Sequence, residues 1–158
     1  MRVFRIAPER FALDISGEGA RLNGGRWNPV GKPVLYTAES PALAMLECIA
    51  FFAVTGAPPN LILVTLEIPD DVSISRPAIT DLPTDWAALP KVPSTKAFGA
   101  RWIEEAAASC LQVPSVVVPV GCGWNYVLNP LHPELRGKIV VADSIHWAID
   151  ERIAKVLT

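Results

Sequence analysis

The stretch Pro41 to Thr55, PALAMLECIAFFAVT, carries a single charged residue, Glu47, and otherwise presents apolar side chains on every face of a helix. Ser40 supplies an N-cap and Pro41 suits the first helical position, so the helix starts there. A helix that is apolar all round has no face of its own for water, and the rest of the chain must cover it. Glu47 lies about two turns in, where packing rather than loop freedom sets its direction. Burying an ionised carboxylate unpaired costs several kcal/mol or forces protonation. Glu47 therefore requires a cation, several donors or a cleft.

Upstream lies GGRWN, Gly24 to Asn28, followed by the short apolar run PVLYTA ending near Tyr36. Asn23-Gly24-Gly25 is a good hairpin turn, so Arg26 and Trp27 can do no more than start a strand. Tyr36 suits a rim position with a satisfied hydroxyl as well as it suits a ligand platform. Glu47 suits a structural ion pair with Arg26. A different chemistry follows if the pieces converge. Two glycines would then expose backbone N–H groups beside a guanidinium able to grip phosphate bidentately, with an aromatic ring and a carboxylate on rigid elements next to them.

The chain of 158 residues has the length of a single domain, 1–158, able to bury roughly two thirds of its unfolded surface. Its apolar fraction of 51% is high for a soluble protein, and the surplus is better spent on an interface than on a membrane anchor. There is no uncharged run of about 18 apolar residues and no secretory pattern in MRVFRIAPER, which points to the cytoplasm. The cysteines, Cys48, Cys110 and Cys122, lack CxxC spacing, and His132 and His146 make no HExxH motif, so a metal enzyme is disfavoured. With a formal net charge of −2 and dispersed cations, there is no footprint for DNA or RNA.

Taken in order, Val3 to Ile6 reads as a strand with Arg5 opposite Phe4 and Ile6, and ERFALD as a helical turn before a polar SGEGARLNGG loop. Lys32 to Ala38 reads as a strand, and LILVTLEI as another after the break Gly56 to Asn60, with VSIS a further short one. Residues 77–94 show no chemistry. Thr95 caps a helix to about Leu111 with Phe98, Trp102, Ala106 and Cys110 on one stripe and Arg101 paired with Glu105. Gln112 to Val120 is a buried strand in which Ser115 is the lone hydroxyl. By base rate it is a structural hydrogen bonder, and with no GxSxG elbow around it a functional role would be ligand positioning rather than nucleophilic attack. KIVVAD is the last strand, and the tail from His146 to Leu157 has helical spacing that could also pair as an edge strand.

GGRWN, LYTAES, LAMLE, VPSVVVP and NPLHP, in this order over nearly the full chain, resemble the RES-domain family of toxins from toxin–antitoxin pairs. The family's Arg, Glu and Ser fall on Arg26, Glu47 and Ser115, and its tyrosine on Tyr36. Asn125 and Asn129, in GCGWNYVLNP, are supporting candidates. The resemblance implies a mixed α/β (α+β) single domain with short, partly split sheets, similar to ADP-ribosyltransferases. It implies NAD⁺ as substrate with no resident cofactor, and cleavage of the nicotinamide–ribose bond by hydrolysis or phosphorolysis, or ADP-ribose transfer to a protein. It also implies an Xre-like helix-turn-helix antitoxin that blocks the site.

On that basis Arg26 with the Gly24 and Gly25 amides would clamp a diphosphate or the adjacent ribose, and Tyr36 would stack on the cationic nicotinamide. Glu47 would accept from a ribose hydroxyl and stabilise developing positive charge, while Ser115 would orient the ribose or the amide, and Asn129 is a further substrate-binding candidate. A non-catalytic interaction module, its apolar surplus forming a binding face and Arg26–Glu47 a structural pair, is the alternative of another class. The apolar excess favours burial in a homodimer or against an antitoxin.

Overall fold

The two stretches with the strongest strand chemistry, RVFRIAP and LILVTLE, pair with each other. In the computed structural model, which describes residues 1–56 and 60–155 apart from the side chain of Val54, they form β1 (Arg2–Pro8) and β3 (Leu61–Glu67). The pair is antiparallel, with Arg2 opposite Glu67 and Pro8 opposite Leu61. Part of the break expected at Gly56 to Asn60 and the end of the tail, residues 57–59 and 156–158, lie outside the described residues.

The remaining strands are β2 (Leu35–Ala38), β4 (Ile74–Ser75), β5 (Cys110–Pro114), β6 (Trp124–Leu128) and β7 (Val140–Trp147). Among the described residues they make one 7-stranded sheet in the order β4-β5-β6-β2-β1-β3-β7, with only β4–β5 parallel. The helices are α1 (Glu18–Asn23), α2 (Pro41–Thr55), α3 (Pro93–Glu105) and α4 (Glu151–Ala154). A single mixed α/β domain of short strands results.

Strand alternation divides the core between the two faces of the sheet. On one face Val3, Leu35, Val64, Leu66, Cys110 and Leu128 pack together and are closed by Leu135 and Ile139. On the other, Leu43 and Ala44 of α2 pack on Ala38 beside Phe4 and Ile6. Farther along that same face, Trp102 of α3 joins Trp27, Leu111, Val113 and Val127. Each fully enclosed leucine, such as Leu66, Leu111, Leu128 or Leu135, contributes on the order of 1.5–3 kcal/mol.

Several boundaries differ from the sequence expectation, each for a local reason. GARLN is helical, not loop: Gly17 at its N-cap has φ +77° and leaves no room for a Cβ against the Val34 backbone. The strand expected from Lys32 begins only at Leu35. The helix expected to reach Leu111 stops at Glu105, where Ala106 turns left-handed (φ 48°). Cys110 and Leu111 pair instead with Leu128 and Val127 of β6, so tertiary pairing overrides the helix propensity of AAAS. The buried strand expected to run to Val120 stops at Pro114. The tail enters β7 through Trp147 before a short helix. Arg101 and Glu105 do pair across one turn, at 3.8 Å.

The helix α2 departs from its expected enclosure. Leu43, Ala44 and Phe52 are buried, but Leu46 and Phe51 are 39% and 53% exposed. Glu47 therefore sits at the margin between a packed side and an open one, partly buried and reachable from solvent.

Candidate active site

The loop that carries Arg26 is built around Asn28, which is fully buried. Its Nδ2 donates to the carbonyls of Ala20 (2.9 Å), Pro29 (3.1 Å) and Lys32 (2.8 Å), while its Oδ1 accepts from the Tyr36 hydroxyl at 2.8 Å. The Tyr36 oxygen in turn accepts the Trp27 N–H at 2.8 Å. The helix α3 closes on the loop through Gly99, where a Cβ would collide with the Trp27 carbonyl. Phe98 meets the Trp27 ring edge-on at 5.9 Å.

Arg26 leaves this rigid loop and is itself buried. Its Nη1 donates to the carbonyls of Trp86 (2.7 Å) and Ala88 (3.0 Å). No hydrogen bond among the described residues uses its other guanidinium donors, which are not sealed from solvent either. Burial pulls the Arg26 pKa below its ordinary value, opposed by the nearby charge of Glu47 and by Tyr36.

From α2, Glu47 reaches over the same face of the sheet. Its Oε1 accepts from Ser115 Oγ at 2.7 Å and from Asn125 Nδ2 at 2.5 Å. Its Oε2 makes no hydrogen bond among the described residues. Glu47 and Arg26 form no direct ion pair: the carboxylate is held by two neutral donors and the guanidinium by two carbonyls. One oxygen of the acid is anchored and the other is open.

Strand register explains the convergence. Asn125 lies opposite Ala38 on β2 and Val113 on β5, and Tyr36 lies opposite Val127. Alternation therefore puts Tyr36, Ala38, Asn125, Val127 and Val113 on one face, with Ser115 continuing the β5 row just beyond its end. Ser115 is buried, and its Oγ also accepts the Val117 N–H at 3.2 Å. It orients Glu47 rather than facing outward.

Two expectations need correction, on the glycine amides and on Asn129. The Gly24 and Gly25 amides are not exposed donors, since they bond the carbonyls of Ala20 (2.8 Å) and Asn28 (2.9 Å). What Gly25 provides is space, because a Cβ there would run into the Tyr36 ring. Tyr36 holds the rim position with a satisfied hydroxyl that its sequence suits: its residue surface is partly exposed, its hydroxyl is enclosed, and burial raises its pKa well above the ordinary phenol value. Asn129 sits at the other end of β6 from Asn125, roughly 13 Å along the strand. There its Oδ1 accepts from the Leu131 N–H at 3.1 Å, so it shapes a turn and does not join Glu47.

Arg5 projects to the opposite face, as alternation requires, and donates to the carbonyls of Phe11 (2.7 Å) and Ala12 (3.4 Å). A hollow of about 370 Å³ also opens on that side between Leu13–Ser16 and Pro130–Ile139, away from the carboxylate. The segment 77–94, which carries no motif, supplies the two carbonyls that hold Arg26. Of the two supporting candidates in GCGWNYVLNP, Asn125 is the one that joins Glu47, a polar residue at an inward position of WNYVL that alternates with the buried Val127.

The family described as the RES domain matches residues 2–150. Over 146 residues the chain is 39% identical to the Prs ADP-ribosylating toxin of Sphingobium sp. (strain YBL2), covering 91% of this chain and 89% of that protein. It is 34% identical over 156 residues to Toxin Res of Photorhabdus laumondii subsp. laumondii, covering 98% of each. A chain in the crystal structure of the M. tuberculosis MbcT–MbcA toxin–antitoxin complex superposes with a TM-score of 0.77 at 18% identity, covering 99% of this chain and 88% of that one.

Proposed function

This chain belongs to the RES-domain family, and from that premise we propose that it is the toxin of a toxin–antitoxin pair that cleaves NAD⁺ at the nicotinamide–ribose bond. The observation that carries the reading is the half-open carboxylate. Glu47 is fixed through Oε1 by Ser115 and Asn125, presents Oε2 to solvent, and lies within electrostatic reach of a buried arginine.

Cleaving this bond needs little proton transfer. The leaving group departs neutral from a cationic ring, and the ribose passes through an oxocarbenium-like state, so the protein's task is to orient the sugar and stabilise positive charge. Oε2 of Glu47 would accept from a ribose hydroxyl and face the developing charge. Arg26 would hold the diphosphate through the donors its loop leaves free. The exposed part of the Tyr36 ring would meet the nicotinamide. Ser115 and Asn125 would keep the carboxylate aimed.

Incubating the purified protein with NAD⁺, with and without phosphate, and measuring nicotinamide tests this directly. Release of nicotinamide is the expected result, and its absence under both conditions would remove hydrolysis and phosphorolysis, leaving transfer to a protein acceptor or a non-catalytic interaction module. A second reading, ADP-ribose transfer to a protein, uses the same residues and differs in the acceptor. The relative named as an ADP-ribosylating toxin favours keeping it. Mass spectrometry of a lysate treated with the protein and NAD⁺ separates the two, since only transfer adds ADP-ribose to a polypeptide. The partner we propose is an Xre-like helix-turn-helix antitoxin covering the Glu47 side, where Leu46 and Phe51 leave α2 exposed.

A further inference from the structure

We infer that Lys91 is a second substrate-binding cation, which with Arg26 clamps the diphosphate of the dinucleotide. This rests on the NAD⁺ reading above and names a residue for it that no motif marks. The placement is geometric. Arg26 is tied to the carbonyls of Trp86 and Ala88, and the same segment then runs through Leu89 and Pro90 to Lys91. The Lys91 Nζ lies over the Phe51 ring, 5.7 Å from its centroid. Phe51 follows Glu47 by one helical turn on α2, so ring and carboxylate share a side of the helix. Lys91 thus bridges from the segment that holds the guanidinium to the helix that holds the acid.

The electrostatics agree with this placement. Partial desolvation of the ammonium first, then the charges of Arg26 and Lys96, lower the Lys91 pKa, and Glu47 opposes them. Two cations that repel one another beside a single carboxylate, with no ion pair between any of them, form a site left with surplus positive charge. A doubly charged diphosphate relieves that repulsion. A structural account of Lys91 is weak, because the residue is exposed and its contact with an exposed phenylalanine contributes little to stability.

The test compares wild type with Lys91→Gln and Lys91→Arg in two assays. One is nicotinamide release from NAD⁺ as a function of ionic strength, and the other is calorimetric binding of ADP-ribose, which needs no turnover. Loss of the charge is expected to raise KM for NAD⁺ and weaken ADP-ribose binding by about tenfold, the effect of one charge-assisted contact, with kcat within about twofold. Lys91→Arg is expected to recover most of the loss. KM should also rise less steeply with salt in Lys91→Gln than in wild type. ADP-ribose affinity unchanged by Lys91→Gln, or no ADP-ribose binding by any of the three proteins, overturns the clamp. Lys91-dependent ADP-ribose binding without nicotinamide release keeps the clamp and overturns the proposed reaction instead.

Discussion

Glu47 illustrates how a neutral pair of donors can prepare a carboxylate better than a salt bridge would. A direct pair with Arg26 would consume both charges, whereas Ser115 and Asn125 bind one oxygen and leave the other and the guanidinium to act on a ligand. Under the proposed reaction, Glu47→Gln is expected to lower kcat for nicotinamide release by about a hundredfold or more with an unchanged circular dichroism spectrum. Turnover near that of wild type would remove Glu47 from the chemistry. Asn125→Ala leaves the acid one donor instead of two and is expected to lower kcat roughly tenfold to a hundredfold, because a misaimed group acts at the wrong distance. An Asn125→Ala enzyme with full kcat would show that Ser115 alone suffices. The residues that were legible in the sequence, Arg26, Tyr36, Glu47 and Ser115, are those that stand out against apolar or glycine-rich neighbours. Asn125 was legible only as a supporting candidate and Lys91 not at all, since strand register brings one to the acid and the course of an irregular segment brings the other.

At the scale of elements, the site depends on how closely α3 settles on the arginine loop. Gly99 has ordinary helical geometry, and by intrinsic propensity an alanine there would favour the helix by about 1 kcal/mol. The Trp27 carbonyl occupies the place of its Cβ, so the steric term is opposite in sign and larger. Gly99→Ala is therefore expected to destabilise the protein by on the order of 1–3 kcal/mol in urea unfolding, and to raise KM as the arginine loop shifts. Stability equal to or above that of wild type would contradict the close approach. Nothing in TKAFGARW announces this contact, just as Gly24-Gly25 suggested free amides when the structure uses Gly25 to admit a tyrosine ring. Glycine's missing side chain can serve a turn, a donor or a close neighbour, and sequence does not say which. The strands β1 and β3 and the start of α2 were readable because alternation and a Ser-Pro cap are local signals. The end of α3 was not, because it is decided by pairing with a distant strand.

For the whole molecule, the sheet edge farthest from the proposed antitoxin-facing helix is held by a carboxylate with no catalytic part. Glu134, in the turn after β6, accepts from the Ser73 N–H (2.9 Å) and Oγ (2.6 Å), while Ser109 donates its N–H to that same Ser73 Oγ at 3.1 Å. It thereby fastens the segment leading into β4 to the rest of the sheet. The hydrogen bonds from Ser73, above all, lower the Glu134 pKa from 4.5 to about 2. The sign follows from proton binding: between those two values the unfolded chain holds a proton that the folded one does not, so stability rises with pH across the interval. The contribution is complete above about pH 4.5 and is lost as pH falls through about 2. Glu134→Gln is therefore expected to be less stable than wild type at neutral pH, with the difference shrinking as acid is added and vanishing near pH 2. Unfolding midpoints of both proteins from pH 7 to 2 measure this, and a gap that stays constant over the range would show that Glu134 contributes through shape and not through charge.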